Sequence, residues 1–231
     1  MIQARAFLRD LDESVVEGVC RDAQRLELQA WLAGKVCESH GVEVEHVGSL
    51  PAGELDIPAV VVASHVSYID PLALCACLPA FAIAKREVAS WPVLGSLAQH
   101  LGMVPYRRGD AFDGAQVLQR CARYVRSGYR VLAFPEGTTS PGHVVGRFQR
   151  GMFFLARWWG VPVLPVAIRY ESRDAAWVGD ATFVPHDVRT AMRPRTRVQL
   201  EFLPPLEPHA YPSEDALAAA ARRHIEGAIR S

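Results

Sequence analysis

From residue 58 onward the chain alternates short β-branched runs with segments whose apolar residues recur at helical spacing, and this order limits the possible folds most. Strands are expected over 58–64, 81–84, 103–106, 129–134, 163–169 and 196–203, and helices over 71–79, 91–101, 111–127, 147–159 and 214–229. Such alternation needs a sheet covered on both faces. The expected class is therefore α/β: a single αβα-layered domain with a mixed, largely parallel sheet. Residues 1–47 carry Leu8, Leu11, Val15, Val19, Leu28, Trp31 and Leu32 at near-helical spacing and are read as an N-terminal segment of amphipathic helices, with the main domain over 48–231. Gly128 should close one helix, Gly160-Val161-Pro162 should end another, and Ser213 can cap the last. Residues 171–195 lack periodicity and read as a long surface excursion.

Charge and cysteine usage narrow the function classes. Lys plus Arg equals Asp plus Glu at 25 each, so no net field favours a nucleic acid partner, and none is expected. Only two of the 25 cations are lysine, so a single arginine carries little information in this chain. Five cysteines (Cys20, Cys37, Cys75, Cys77, Cys121) without a C-x-x-C pair fit a reducing cytoplasm. The charged N-terminus does not read as a signal peptide, and the apolar stretch 71–84 is short of the ~20 residues a spanning helix needs. The remaining histidines lack metal-ligand spacing, and neither a metal nor a bound cofactor is expected.

Three strand ends carry the polar residues. In "HVSYID", His65 falls where a strand runs out and Asp70 follows five positions later, ahead of Pro71. Asp70 can cap the next helix, with Pro71 in its first turn. Alternatively the turn folds the carboxylate back onto the imidazole, fixing the tautomer and leaving the other nitrogen to take a proton. In "GMVPYRRGD", Arg107 and Arg108 enter a turn before a helix, an arrangement that suits a phosphate or is simply a solvated basic turn. In "FPEGTTS", Glu136, Gly137, Thr138 and Thr139 sit at the carboxyl end of a strand, where α/β sheets place their sites, or form a plain turn. "GVPVLPVAI" reads as a core strand whose two prolines suggest an edge or an unusual wall.

In this order the blocks resemble the glycerolipid acyltransferase family that includes 1-acylglycerol-3-phosphate acyltransferase. The family's His-x4-Asp falls on His65 and Asp70, its Gly-x5-Arg on Gly102 and Arg108, its Glu-Gly-Thr on Glu136, Gly137 and Thr138, and its proline-bearing strand on Val161 to Ile168. The likeness covers roughly residues 56 to 170. It implies transfer of a fatty acyl group from acyl-CoA or acyl carrier protein to the hydroxyl of a lysophospholipid-like acceptor. On that resemblance His65 is the general base and Asp70 its orienter. Glu136 with Arg107 or Arg108 positions the acceptor head group, and the backbone near Lys85 and Gly137 is the candidate oxyanion donor. Many members that use a glycerol phosphate acceptor have arginine after Glu-Gly-Thr, whereas Thr139 here matches a subset resembling lysophospholipid and lyso-ornithine-lipid acyltransferases. Losing that cation removes a charge-assisted contact of ~1.5–3 kcal/mol, which Arg107, Arg108 or Arg147 can replace. The alternatives are an acyl-thioesterase, in which the same base activates water, and transfer to a non-glycerolipid acceptor such as lyso-ornithine lipid.

A lipid substrate implies a peripheral position on the inner face of the cell membrane. On a helix over 147–159, Phe148, Met152, Leu155 and Trp159 form one stripe, expected to be core. Arg147, Arg150 and Arg157 with Phe154 and Trp158 form another, suited either to anionic head groups or to a second core contact. The basic run 189–199 suits CoA phosphates or an acidic carrier protein, or is a solvated loop.

Overall fold

The computed structural model describes residues 22–47, 57–90, 94–107, 109–172 and 195–230. The order is α1 (Asp22–Ser39), β1 (Val42–Val47), β2 (Val60–Ala63), α2 (Ile69–Cys77), β3 (Phe81–Lys85), α3 (Leu94–His100), β4 (Val104–Tyr106), α4 (Ala111–Arg126), β5 (Val131–Ala133), α5 (Gly151–Trp159), β6 (Val163–Tyr170), β7 (Thr196–Phe202) and α6 (Glu214–Arg230). The seven strands lie in the order β1-β7-β6-β2-β5-β3-β4. From β6 to β4 every pair is parallel; β7 runs antiparallel to β6, and β1 is parallel to β7. The expected α/β class, with a mixed and mostly parallel sheet, is the observed one.

The central strand shows why the sheet needs two covers. Val60 and Val62 pack into one core with Cys121, Phe153, Leu217 and Ile225, on the side of α4, α5 and α6. Val61 and Ala63 pack into the other with Cys37, Ile69, Leu74 and Leu164, on the side of α1 and α2. Successive side chains of a strand point to opposite faces, so a strand covered on both faces reads as an unbroken apolar run. Burial pushes the thiols of Cys37, Cys75 and Cys121 up to about 12, so these cysteines are neutral packing groups.

Helix ends follow the anticipated punctuation. Gly160 caps α5 at φ 62°, Gly128 turns at φ 87°, and the Ser213 hydroxyl accepts from Ala216 N at 3.2 Å. Three expectations need correction. First, β1 lies inside the segment read as helical through residue 47, and it extends the sheet. Its sequence, VEVEHV, alternates with period two. Glu43 and Glu45 meet Arg195 and Arg197 of β7 and the residue before it, with Arg197 to Glu45 at 3.1 Å.

Second, β6 is central rather than an edge strand. Pro162 O and Val166 O accept from β2, so the Pro165 nitrogen faces β7, one residue beyond that strand's last pair, Val166 with Phe202. Pro165 O still accepts from Leu203 N at 3.0 Å, and the one reciprocal bond that proline cannot donate falls where the β6–β7 ladder ends. Third, α5 begins at Gly151, because Gly146 and Gln149 donate their N–H groups to Glu136 and Pro135 before the helix starts. Trp159, the last residue of α5, is 38% exposed under the Arg126 guanidinium at 5.2 Å, instead of lying in the core with Phe148, Met152 and Leu155.

Gly102 shows how the sheet limits its own turns. It adopts φ +83°, and a Cβ there would lie 2.7 Å from Phe81 Cε1. The Phe81 ring cannot yield, because it is fully buried and stacked on Tyr124 with centroids 3.6 Å apart. Gly102→Ala is therefore expected to destabilise the protein by ~2–4 kcal/mol, left-handed strain plus overpacking, read from the midpoint of chemical denaturation.

Candidate active site

The carboxyl ends of the parallel strands converge on one edge. The register aligns Val61 of β2 with Leu132 of β5 and Ala82 of β3. Three residues further come Ser64 and Lys85, and Lys85 pairs with Tyr106 of β4. His65, Lys85 and Arg107 therefore leave the sheet at one level, with Glu136 just beyond β5. Ligand sites of such sheets lie on this edge.

At its centre the chain leaves β2 through a buried turn, Ser64 to Tyr68, that precedes α2. Asp70, in the first turn of α2, is 0% exposed and faces backward. Its Oδ2 accepts from His65 Nδ1 at 2.8 Å, Val66 N at 2.6 Å and Ser67 N at 2.8 Å, while Oδ1 accepts from the Tyr170 hydroxyl at 2.6 Å. Asp70 thus binds the turn before the helix rather than capping the helix end; Tyr68 takes the cap position. Four donors offset the cost of burying a carboxylate, and the helix dipole adds to them.

His65 is held on every side. Its ring stacks on Phe134 with centroids 4.2 Å apart, and its side chain is 20% exposed. Its backbone N donates to Glu136 Oε1 at 2.9 Å, and its carbonyl accepts from Ser140 N at 2.7 Å. Because an ionised Oδ2 can only accept, Nδ1 carries the proton toward Asp70 and Nε2 holds the lone pair.

Glu136 occupies a different place from the one anticipated. Both carboxylate oxygens are engaged by main chain: Oε1 by His65 N, and Oε2 by Gly146 N at 2.7 Å. A Cβ on Gly146 would lie 3.0 Å from Oε2, so glycine permits this approach. Gly137, at φ 70°, donates its N–H to Phe134 O at 2.9 Å and closes the turn, which engages that N–H within the loop. Thr138 is exposed and Thr139 half-buried.

Arg107 is exposed beside this edge, and its backbone N–H donates to Asp113 Oδ2. The buried Asp113 also holds Arg86 at 3.0 Å, so it fixes the turn that presents the cations. Arg108 lies outside the described residues, and Lys85 is exposed. Of the basic run 189–199, Arg195 and Arg197 form ion pairs with Glu43, Glu45 and Glu171, and residues 189–194 lie outside the described part. Sequence reasoning missed Tyr170, Phe134, Ser140, Gly146 and Asp113. Phe134 and Ser140 begin and end the block "FPEGTTS", but only the residues between them were read as site residues.

Burial raises the Glu136 carboxyl above its ordinary 4.5, against the opposing pull of the two backbone N–H groups. The folded protein therefore binds this proton more tightly than the unfolded chain does. From about pH 4.5 upward to the folded value, the contribution of Glu136 to stability falls as pH rises. The stability difference between wild type and Glu136→Gln should accordingly drift against wild type across that window. Urea titrations at a series of pH values check the sign.

Residues 41–169, more than half of the chain, match the family model described as Acyltransferase. The lyso-ornithine lipid O-acyltransferase of Pseudomonas aeruginosa is 32% identical over 211 residues, covering 89% of this chain and 78% of the relative. The 1-acyl-sn-glycerol-3-phosphate acyltransferase of Neisseria gonorrhoeae is 38% identical over 120 residues, covering 52% of this chain and 47% of the relative. The crystal structure of the 1-acyl-sn-glycerophosphate acyltransferase PlsC from Thermotoga maritima shares the fold, with a TM-score of 0.67 at 23% identity over 92% of this chain and 82% of that one. The chain carrying this buried carboxylate and its imidazole belongs to the Acyltransferase family.

Proposed function

We propose that His65 is the general base of acyl transfer from a thioester, carried by CoA or acyl carrier protein, to a lysolipid hydroxyl. The observation that supports this reading is the 2.8 Å contact of Nδ1 with a wholly buried carboxylate, on a ring still partly open to solvent. Nε2 takes the acceptor's proton as its oxygen attacks the thioester carbonyl. The tetrahedral intermediate collapses with cleavage of the carbon–sulfur bond, and the leaving thiolate takes the proton from the imidazolium. Asp70 stabilises that imidazolium, and because the acceptor's own oxygen attacks the thioester the protein itself is never acylated. A positioned base of this kind contributes ~10²–10⁴-fold.

Glu136 acts by holding the His65 backbone. Arg107 and Arg108, with Lys85 on the same edge, supply positive charge for the phosphates of donor or acceptor. For the acceptor, lyso-ornithine lipid is favoured over a phosphate monoester. Thr139 stands where a further cation would meet a phosphate, and relatives named lyso-ornithine lipid O-acyltransferases match 89% and 83% of the chain.

Among the described residues no helix is long and apolar enough to cross a membrane. The bilayer contact we assign is the outer side of α5, where Phe154 and the 71% exposed Trp158 stack 5.8 Å apart beside exposed Arg150. Arg157 is not part of it, since its guanidinium donates to the carbonyls of Pro208, at 2.8 Å, and Tyr211.

Two experiments test the proposal. Purified enzyme given acyl thioester should release thiol only when lysolipid is present, and His65→Ala should lower the rate at least ~10²-fold. Release without acceptor indicates a thioesterase, and full activity in His65→Ala ends the mechanism. Vesicles with anionic lipid should float the wild type and leave most of a Trp158→Asp, Arg150→Glu variant at the bottom of the gradient. Equal flotation removes this face from the account.

A further inference from the structure

Tyr170 ends β6 at the edge that carries His65, and none of the sequence blocks includes it. Its hydroxyl donates to Asp70 Oδ1 at 2.6 Å, while the other three donors all use Oδ2. We infer that Tyr170 is a positioning residue of the His65–Asp70 pair, whose O–H draws charge from the carboxylate and thereby sets the proton affinity of the imidazole. The inference rests on the base role proposed for His65. It explains why a phenol is brought 100 residues along the chain to an oxygen that the turn itself cannot reach. The turn's N–H groups all approach from one side, and β6, paired with β2 through Ala63 and Val166, supplies the remaining donor from the other.

The chemistry fixes a direction. Removing a donor from a buried anion raises the proton affinity of the anion and of any base coupled to it. The acid limb of the rate profile should therefore move to higher pH. Among the described residues, three other polar or titratable groups face the pair: Glu136 from the loop after β5, Cys37 from α1, and the Ser67 hydroxyl, which bonds the phenol oxygen. Cys37 stays neutral, with its thiol pushed up to about 12. Burial and the Asp70 charge hold the Tyr170 hydroxyl protonated well above its ordinary 10.0, so it remains a donor wherever His65 titrates.

Tyr170→Phe removes one oxygen and keeps the ring. It should lower kcat roughly tenfold with little change in KM, and raise the acid-limb pKa of kcat/KM by about half to one unit. Imidazole nitrogen resonances followed by NMR assign the shift to His65 rather than to Glu136. Incorporating 3-fluorotyrosine at position 170, a stronger donor with nearly the same shape, should move the limb the opposite way; it also decides the matter if Tyr170→Phe fails to fold. An unmoved limb in either folded variant overturns the inference, even if kcat falls. His65→Ala assayed alongside separates the two readings: retained activity there removes the base itself, whereas an inactive His65→Ala with an unshifted Tyr170→Phe removes only the role of Tyr170.

Discussion

A carboxylate shut away from water and surrounded by four donors is the constraint on which this structure turns. Asp70 could not remain charged at 0% exposure without partners, and its partners come from three places: the turn after β2, the imidazole, and the end of β6. Meeting that requirement shapes the loop, fixes the first turn of α2 and locks β2 against β6. The same hydrogen bonds that stabilise the buried charge orient the ring that uses it.

The parallel sheet makes such a cluster possible because it delivers several chain segments to one edge at one level. His65 follows β2, Glu136 follows β5, and Lys85 with Arg107 follows β3 and β4. Elements far apart in the chain are then joined through main-chain groups: Glu136 grips His65 N and Gly146 N, and Ser140 N binds His65 O. Each contact costs little conformational entropy beyond what the sheet has already fixed, so short loops suffice.

Much of this was legible beforehand, for physical reasons. Buried parallel strands announce themselves as apolar runs, and the glycine and serine at helix ends are local signals, so the order of elements from β2 onward was readable from Val60 to Arg230. The approach of His65 to Asp70 was one of two readings of "HVSYID", beside a helix cap, since five residues suffice to bring the carboxylate back. The edge strand β1 was less visible: helical spacing in the preceding residues was extended over VEVEHV, whose two-residue alternation points to a half-buried strand. Tyr170 and Phe134 were invisible because their partners are non-local, and a single aromatic at a strand end has no pattern. Glu136 was found as a site residue, yet which way its side chain points depends on the distant Gly146 backbone. Pro165 misled because the usual proline rule assumes a neighbour on both sides along the whole strand, and β7 stops one residue short.

The turn at 136–139 divides its labour between neighbouring side chains. Glu136 turns to the main chain of His65 and Gly146, whereas Thr138, two residues on, is exposed and Thr139 half-buried. Under the proposed function, substitutions at Thr138 and Thr139 change what the loop presents without touching the bonds by which Glu136 holds His65 and Gly146.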